Sequence, residues 1–140
     1  MPIASPVSTT PPVPVVLVAD DQSEARRLAR MSLEFENCRI LEAANGVEAL
    51  ALARESRPRV VVLDILMPGP MDGFEVCRRI KADPSLAGTG VVIVSGLADP
   101  LSRQRGHEAG ADAFLAKPVR FADLVEALDA WLAPGGRAAA

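Results

Sequence analysis

Asp64 interrupts the apolar run Val60-Val61-Val62-Leu63-Asp64-Ile65-Leu66-Met67, which otherwise reads as a buried strand. An ionised carboxylate there is costly unless a partner or a cation offsets its lost hydration. A second apolar run, Val15-Val16-Leu17-Val18-Ala19, closes on the adjacent carboxylates Asp20 and Asp21; Ser95 ends a third run and Lys117 a fourth. Three carboxylates and one ammonium around a point make a hard-cation site of the kind magnesium takes, with few protein oxygens and water or phosphate for the remainder. A carboxylate beside a divalent cation can act as nucleophile toward an activated phosphoryl group. The cation offsets repulsion between nucleophile and phosphoryl oxygens, while Lys117 can pair with one oxygen and the Ser95 hydroxyl can donate to another.

These residues converge only if the elements between them allow it. Five short apolar runs are read as strands: Val15 to Ala19, Arg39 to Ala43, the run ending at Asp64, Val91 to Val94, and Ala113 to Ala116. Helical patterns separate them. Leu28, Met31, Ser32 and Phe35 fall at i, i+3, i+4, i+7, as one buried face would. Asn45 with Glu48, and Asp72 with Glu75, look like capping pairs. The first opens a helix with Val47, Leu50 and Ala51 inward, the second one burying Phe74, Cys77 and Ile80. Asp99-Pro100 gives a cap followed by proline at the first helical position, starting a helix to about Ala109. Phe121, Leu124, Val125, Leu128 and Trp131 or Leu132 form the clearest helical stripe. Strands alternating with helices predict an α/β fold, a parallel sheet covered on both faces. Chemistry then belongs at the carboxyl ends of the strands, where Asp20, Asp21, Asp64, Ser95 and Lys117 all lie.

The 140 residues allow one domain with a real core. Met1 to Pro14, with five prolines, and Ala133 to Ala140 are expected to be flexible tails flanking a domain over 15–132. The formal net charge of −3 argues against nonspecific nucleic-acid binding. Arg26, Arg27 and Arg30 read as a solvated helix face. Cys38 and Cys77 lack metal or disulfide spacing, and no apolar stretch is long enough to span a membrane. With no signal-peptide pattern, the expectation is a cytoplasmic protein. His107, the single histidine, reads as a solvent-facing residue on the fourth helix, and Asp99, Asp112 and Asp123 as caps and surface charges.

Ala19-Asp20-Asp21, Val62-Leu63-Asp64-Ile65-Leu66-Met67-Pro68, Ser95-Gly96 and Lys117-Pro118 together resemble the response-regulator receiver domain of two-component signalling, over roughly Val15 to Leu132. The resemblance implies a doubly wound five-stranded parallel sheet of order 2-1-3-4-5 with five helices, flavodoxin-like in architecture. It implies that Asp64 accepts phosphate from the phosphohistidine of a sensor histidine kinase or a histidine phosphotransfer protein. By the same resemblance Asp21 and Asp64 ligate Mg2+ directly, Asp20 does so through water, and the Leu66 backbone carbonyl adds a metal bond. A cis peptide at Lys117-Pro118 aims the lysine. Ser95 and Phe114 stand where the family's switch residues stand, with the output passed to a downstream protein target, or to a homodimer, through an α4-β5-α5 surface. No enzymatic activity beyond self-phosphorylation and autodephosphorylation is implied.

The chain departs from the family pattern at Met67-Pro68-Gly69-Pro70-Met71-Asp72-Gly73, which carries one extra proline and so a longer, stiffer loop, and at Gly96, where alanine is common. A dehalogenase-type phosphatase would need a second acid where Leu66 stands. A flavin-binding module would find its phosphate repelled by Asp20-Asp21. A receiver-fold scaffold that is never phosphorylated is opposed by the full set of rim residues. A receiver excised from a hybrid kinase or a larger regulator would carry the same residues as a receiver that acts alone.

Leu66 and Leu97 occupy positions that, in the family, tune hydrolysis of the acyl phosphate, and neither side chain can orient a water. The expected outcome is slow loss of phosphate. Replacing Leu66 by Asn together with Leu97 by Glu should accelerate it, as followed by decay of the phosphorylated species in magnesium. Unchanged or slower decay would move attention to the Pro68-Gly69-Pro70 loop.

Overall fold

The computed structural model describes residues 13–133. Of the expected tails, residues 1–12 and 134–140 lie outside the described residues. The strands are β1 (Val15–Ala19), β2 (Arg39–Ala43), β3 (Val60–Leu63), β4 (Gly90–Ser95) and β5 (Ala113–Ala116). The helices are α1 (Ser23–Ser32), α2 (Gly46–Ser56), α3 (Gly73–Ala82), α4 (Pro100–Glu108) and α5 (Phe121–Leu132), with a 3-10 turn at Pro84–Leu86. The strands form one parallel sheet in the order β2-β1-β3-β4-β5.

Both faces of the central strands are covered, so alternate residues feed two cores. Val16, Val18, Val60, Val62 and Val92 pack against Ala29, Leu33, Leu124, Leu128 and Trp131 on the α1/α5 side. Leu17, Val61, Leu63, Val91 and Ile93 pack against Ala49, Leu50, Phe74, Cys77, Ile80 and Ala109 on the other. Each fully buried Leu or Ile contributes about 1.5–3 kcal/mol. The register aligns Ala19 with Leu63 and Leu63 with Ile93, so the strands end together and the loops after them share one rim.

Asn45 Oδ1 accepts the Glu48 N–H at 2.8 Å and Asp72 Oδ1 the Glu75 N–H at 2.9 Å, as the capping patterns require. Asp99 accepts the Ser102 N–H at 3.2 Å ahead of Pro100. Asp112, by contrast, ties β4 to α3, accepting the Val91 N–H at 2.8 Å and pairing with Lys81 at 2.7 Å. Trp131 packs against Gly90 at the start of β4, where an added Cβ would collide with the indole.

Three helix faces differ from the sequence expectation. On α1 the buried residue is Ala29, followed by Leu33; Leu28 and Met31 are exposed, and Phe35, in the turn beyond the helix end, is 93% exposed. Small side chains let α1 approach the sheet and α5 closely, leaving the larger ones outside. On α2 the inward residues are Gly46, Ala49, Leu50 and Ala53, whereas Val47 and Ala51 face solvent. On α5, Phe121 occupies the first turn and is exposed, while Leu124, Leu128 and Trp131 are buried.

The segment joining β3 to α3 is pinned at Met67 and Met71, both buried, and its extra residue is taken up at the exposed Pro68-Gly69-Pro70, with Gly69 at φ +97°. Gly73 then returns the chain onto the backbone of Asp64 and Ile65. Its N–H donates to the Ile65 carbonyl at 2.8 Å, and an added Cβ would collide with the Asp64 carbonyl oxygen and lie 2.7 Å from Ile65 Cα. Backbone cannot yield as a side-chain tip can, so Gly73→Ala is expected to cost about 1–3 kcal/mol despite alanine's better helix propensity. Urea unfolding checks this; a variant as stable as the parent would mean that the loop shifts freely.

Candidate functional site

Pairing of β1 with β3 sets two carboxylates side by side. The Asp64 N–H donates to the Ala19 carbonyl at 2.9 Å, and the Asp20 N–H to Ala43 at 3.0 Å. Carboxylate oxygens of Asp20, Asp21 and Asp64 all lie within 4.8 Å of one another. Asp20 and Asp64 are buried, at 5% and 8% exposure, while Asp21 is open to solvent. Lys117, brought in after β5 by a cis Lys117-Pro118 peptide, places its Nζ 2.7 Å from Asp20 Oδ2 and 3.6 Å from Asp64 Oδ2.

Each buried carboxylate has one oxygen engaged by its own loop: Asp20 Oδ1 accepts the Gln22 N–H and Asp64 Oδ1 the Ile65 N–H, both at 2.9 Å. Asp20 Oδ2 takes the short bond from Lys117. Asp64 Oδ2, held only at ion-pair distance, is the least committed oxygen of the two buried acids and the best placed to react.

The charges follow from this geometry. Burial raises the Asp64 pKa, and the neighbouring Asp20 charge adds to the rise, outweighing Lys117 and the Ile65 N–H. Burial works against the Lys117 ammonium, but its hydrogen bond to Asp20 and the charges of Asp64 and Asp20 hold it above the usual lysine range. Three carboxylates against one ammonium leave the rim negative, with hard oxygen donors and no histidine or cysteine in the cluster. That donor set suits magnesium.

The other expected residues sit around this centre. Ser95 ends β4, 1% exposed, and its Oγ accepts the Leu97 N–H at 3.1 Å; among the described residues no hydrogen bond joins it to Asp64. Phe114 lies half-buried on β5 against Gly106 of α4, with the Arg103 guanidinium 5.1 Å from its ring centroid. The Leu66 and Leu97 side chains are both exposed.

Arg27 and Arg30 are exposed, as the reading of a solvated arginine face has them, but Arg26 departs from it. Its Nη1 donates to the Asp20 carbonyl at 2.8 Å and its Nε to Glu42 at 3.0 Å, with the side chain only 19% exposed. Glu42, which Arg30 and Arg26 together hold below the usual carboxylate range, is the signal that could have revealed this. It is an exposed acid on the edge strand β2, facing arginines one turn apart on α1.

The description "Response regulator receiver domain" matches residues 16–129. The chain belongs to this family. It is 42% identical over 103 residues to the transcriptional regulatory protein ResD of Bacillus subtilis, covering 74% of this chain and 41% of that one. To the protein PilG of Pseudomonas aeruginosa it is 31% identical over 115 residues, covering 82% and 84%. The chemotaxis protein CheY4 of Vibrio cholerae superposes with a TM-score of 0.79 at 29% identity, covering 86% of this receiver and all of that chain. The receiver thus spans less than half of ResD and most of PilG. Receiver domains are signalling modules of two-component systems rather than classical enzymes, they bind Mg2+ at an acidic pocket, and they interact with histidine kinases and downstream effectors. No helix among the described residues is long and apolar enough to cross a membrane.

The direction of the Asp64 shift fixes a pH dependence. A carboxyl whose folded pKa is raised gives its full support to the fold below its unfolded pKa of about 3.9 and loses it as pH rises through the folded value. In metal-free buffer near neutral pH, Asp64→Asn is therefore expected to raise the urea midpoint, with the advantage shrinking as pH falls toward about 4. Equal midpoints at neutral pH would show that Lys117 compensates fully.

Proposed function

We propose that this receiver is a phosphoacceptor of a phosphorelay, working in the cytoplasm, in which Asp64 takes a phosphoryl group from the phosphohistidine of a sensor histidine kinase or a histidine phosphotransfer protein. What carries the reading is one convergence: the Asp64 Oδ2 oxygen, free of short bonds, facing two further carboxylates and the Lys117 ammonium. As Oδ2 bonds to phosphorus, the bond from phosphorus to the donor imidazole nitrogen breaks and the electron pair leaves with the imidazole. Asp21, Asp64 and the Leu66 carbonyl would hold the magnesium ion, with Asp20 reaching it through water. When bound, the ion neutralises charge on nucleophile and phosphoryl oxygens.

The new group adds about −1.5 to −2 charges, which draws Lys117 from Asp20 toward a phosphoryl oxygen. The Ser95 hydroxyl, whose oxygen here accepts the Leu97 N–H, turns to donate to another, and Phe114 follows against α4. An apolar groove of about 400 Å³ beside Lys117, walled by Ala25, Leu28, Val119 and Leu124, supports docking of the phosphodonor on α1 and the turn into α5. The α4-β5-α5 face, with Leu101 of α4 and Phe121 of α5 exposed, is the surface offered to a downstream protein or a second receiver.

Incubation with magnesium and acetyl phosphate, read by intact mass, is expected to add one phosphoryl group to the parent and none to Asp64→Asn. Stoichiometric acid-stable labelling of that variant, or an unlabelled parent, would overturn the reading.

A further inference from the structure

The proposed direct ligand Asp21 is the least supported residue of the cluster. It is exposed, and among the described residues neither its side chain nor its backbone N–H has a hydrogen bond shown. What fixes its position is the peptide that joins it to Asp20. The Asp20 N–H, in the peptide before it, donates to Ala43 at 3.0 Å, and the Asp20 carbonyl, the C=O of the Asp20-Asp21 peptide itself, is held by Arg26 Nη1 at 2.8 Å. Arg26 is itself steered by Glu42, which accepts from its Nε at 3.0 Å and from Arg30 Nε and Nη2 at 3.0 and 2.8 Å. Glu42 pairs in register with Val18 two residues before Asp20, so the brace spans β2, β1 and α1 just behind the rim.

We propose that Arg26, steered by Glu42, is a positioning residue that sets the Asp20-Asp21 peptide plane and so holds Asp21 ready for magnesium. The inference rests on reading Asp20, Asp21 and Asp64 as the magnesium site.

The sign of the effect separates positioning from simple electrostatics. A guanidinium beside three carboxylates repels a cation, so on charge alone its removal would tighten magnesium binding. Positioning demands the reverse, because losing a residue that orients a metal ligand typically weakens the metal by about 10- to 100-fold. Lysine keeps the charge but lacks the planar fork that reaches two acceptors at once.

The test is magnesium titration followed by NMR of the rim amides, on the parent, Arg26→Ala, Arg26→Lys, Glu42→Ala, the Arg26→Ala/Glu42→Ala double variant and Asp21→Ala. Each variant is first shown to be folded in metal-free buffer. Arg26→Ala and Arg26→Lys are expected to bind at least about 10-fold more weakly. Glu42→Ala should weaken binding when Arg26 is present and add nothing when it is absent. In metal-free protein, amide exchange at Gln22, whose N–H is bonded to Asp20 Oδ1, should quicken in Arg26→Ala while the β3 amides stay protected.

Unchanged or tighter binding in Arg26→Ala, or additive effects of the two substitutions, would overturn the proposal. If Asp21→Ala loses magnesium while Arg26→Ala keeps it, the metal site stands and the brace alone fails. Should the parent bind no magnesium, or Asp21→Ala bind as the parent does, the site reading fails and the brace with it.

Discussion

Two carboxylates taken out of water side by side, with a single ammonium to offset them, form the constraint around which this receiver is built. Asp20 and Asp64 are both more than nine-tenths buried, yet Lys117 makes a short bond to only one of them. Such an arrangement is unfavourable by itself, and the sheet must hold it in place by backbone pairing. Each acid directly follows its strand, one residue past the register pair Ala19 and Leu63, with its N–H bonded to a neighbouring strand. The repulsion left over is what a divalent cation relieves, so in the proposed function fold stability and site occupancy rise together.

The rest of the rim can be seen as scaffolding for that pair. Gly73 brings the start of α3 onto the Asp64 backbone, and Met67 and Met71 anchor the connecting segment in the core. Because both anchors stay buried, the additional proline changes the exposed outline of the loop rather than the surroundings of Asp64. Variation is thus channelled toward the surface that a partner would meet.

Much of this was legible in the sequence because the signals are local. Unbroken valine runs, side chains capping helices three residues on, and acids at the ends of apolar segments each have a short-range physical cause. The sheet order and the receiver family followed from motifs at Asp20-Asp21, Asp64, Ser95 and Lys117, and the family match bears them out. The inward faces of α1 and α2 are misread in part because periodicity counts large apolar residues: of Leu28, Met31, Val47 and Leu50, Leu50 alone is buried. These helices instead bury alanines, and they leave Leu28, Met31 and Val47 outside. Arg26 was missed for another reason: its partners, Glu42 and the Asp20 carbonyl, lie on other elements, and nothing in the spacing of arginines along α1 distinguishes a residue reaching inward from its solvated neighbours.

Trp131 rests on Gly90, the first residue of β4, whereas Ser95, the last, belongs to the rim. The five steps between them span about 17 Å. The single indole of the chain therefore stands at the far end of the sheet from the acids and senses the seating of α5 on β4. Its emission serves as a gauge of whether the domain is folded and is optically remote from events at Asp64, so a spectroscopic view of the rim needs a reporter placed there, for example on the exposed side chain of residue 66 or 97.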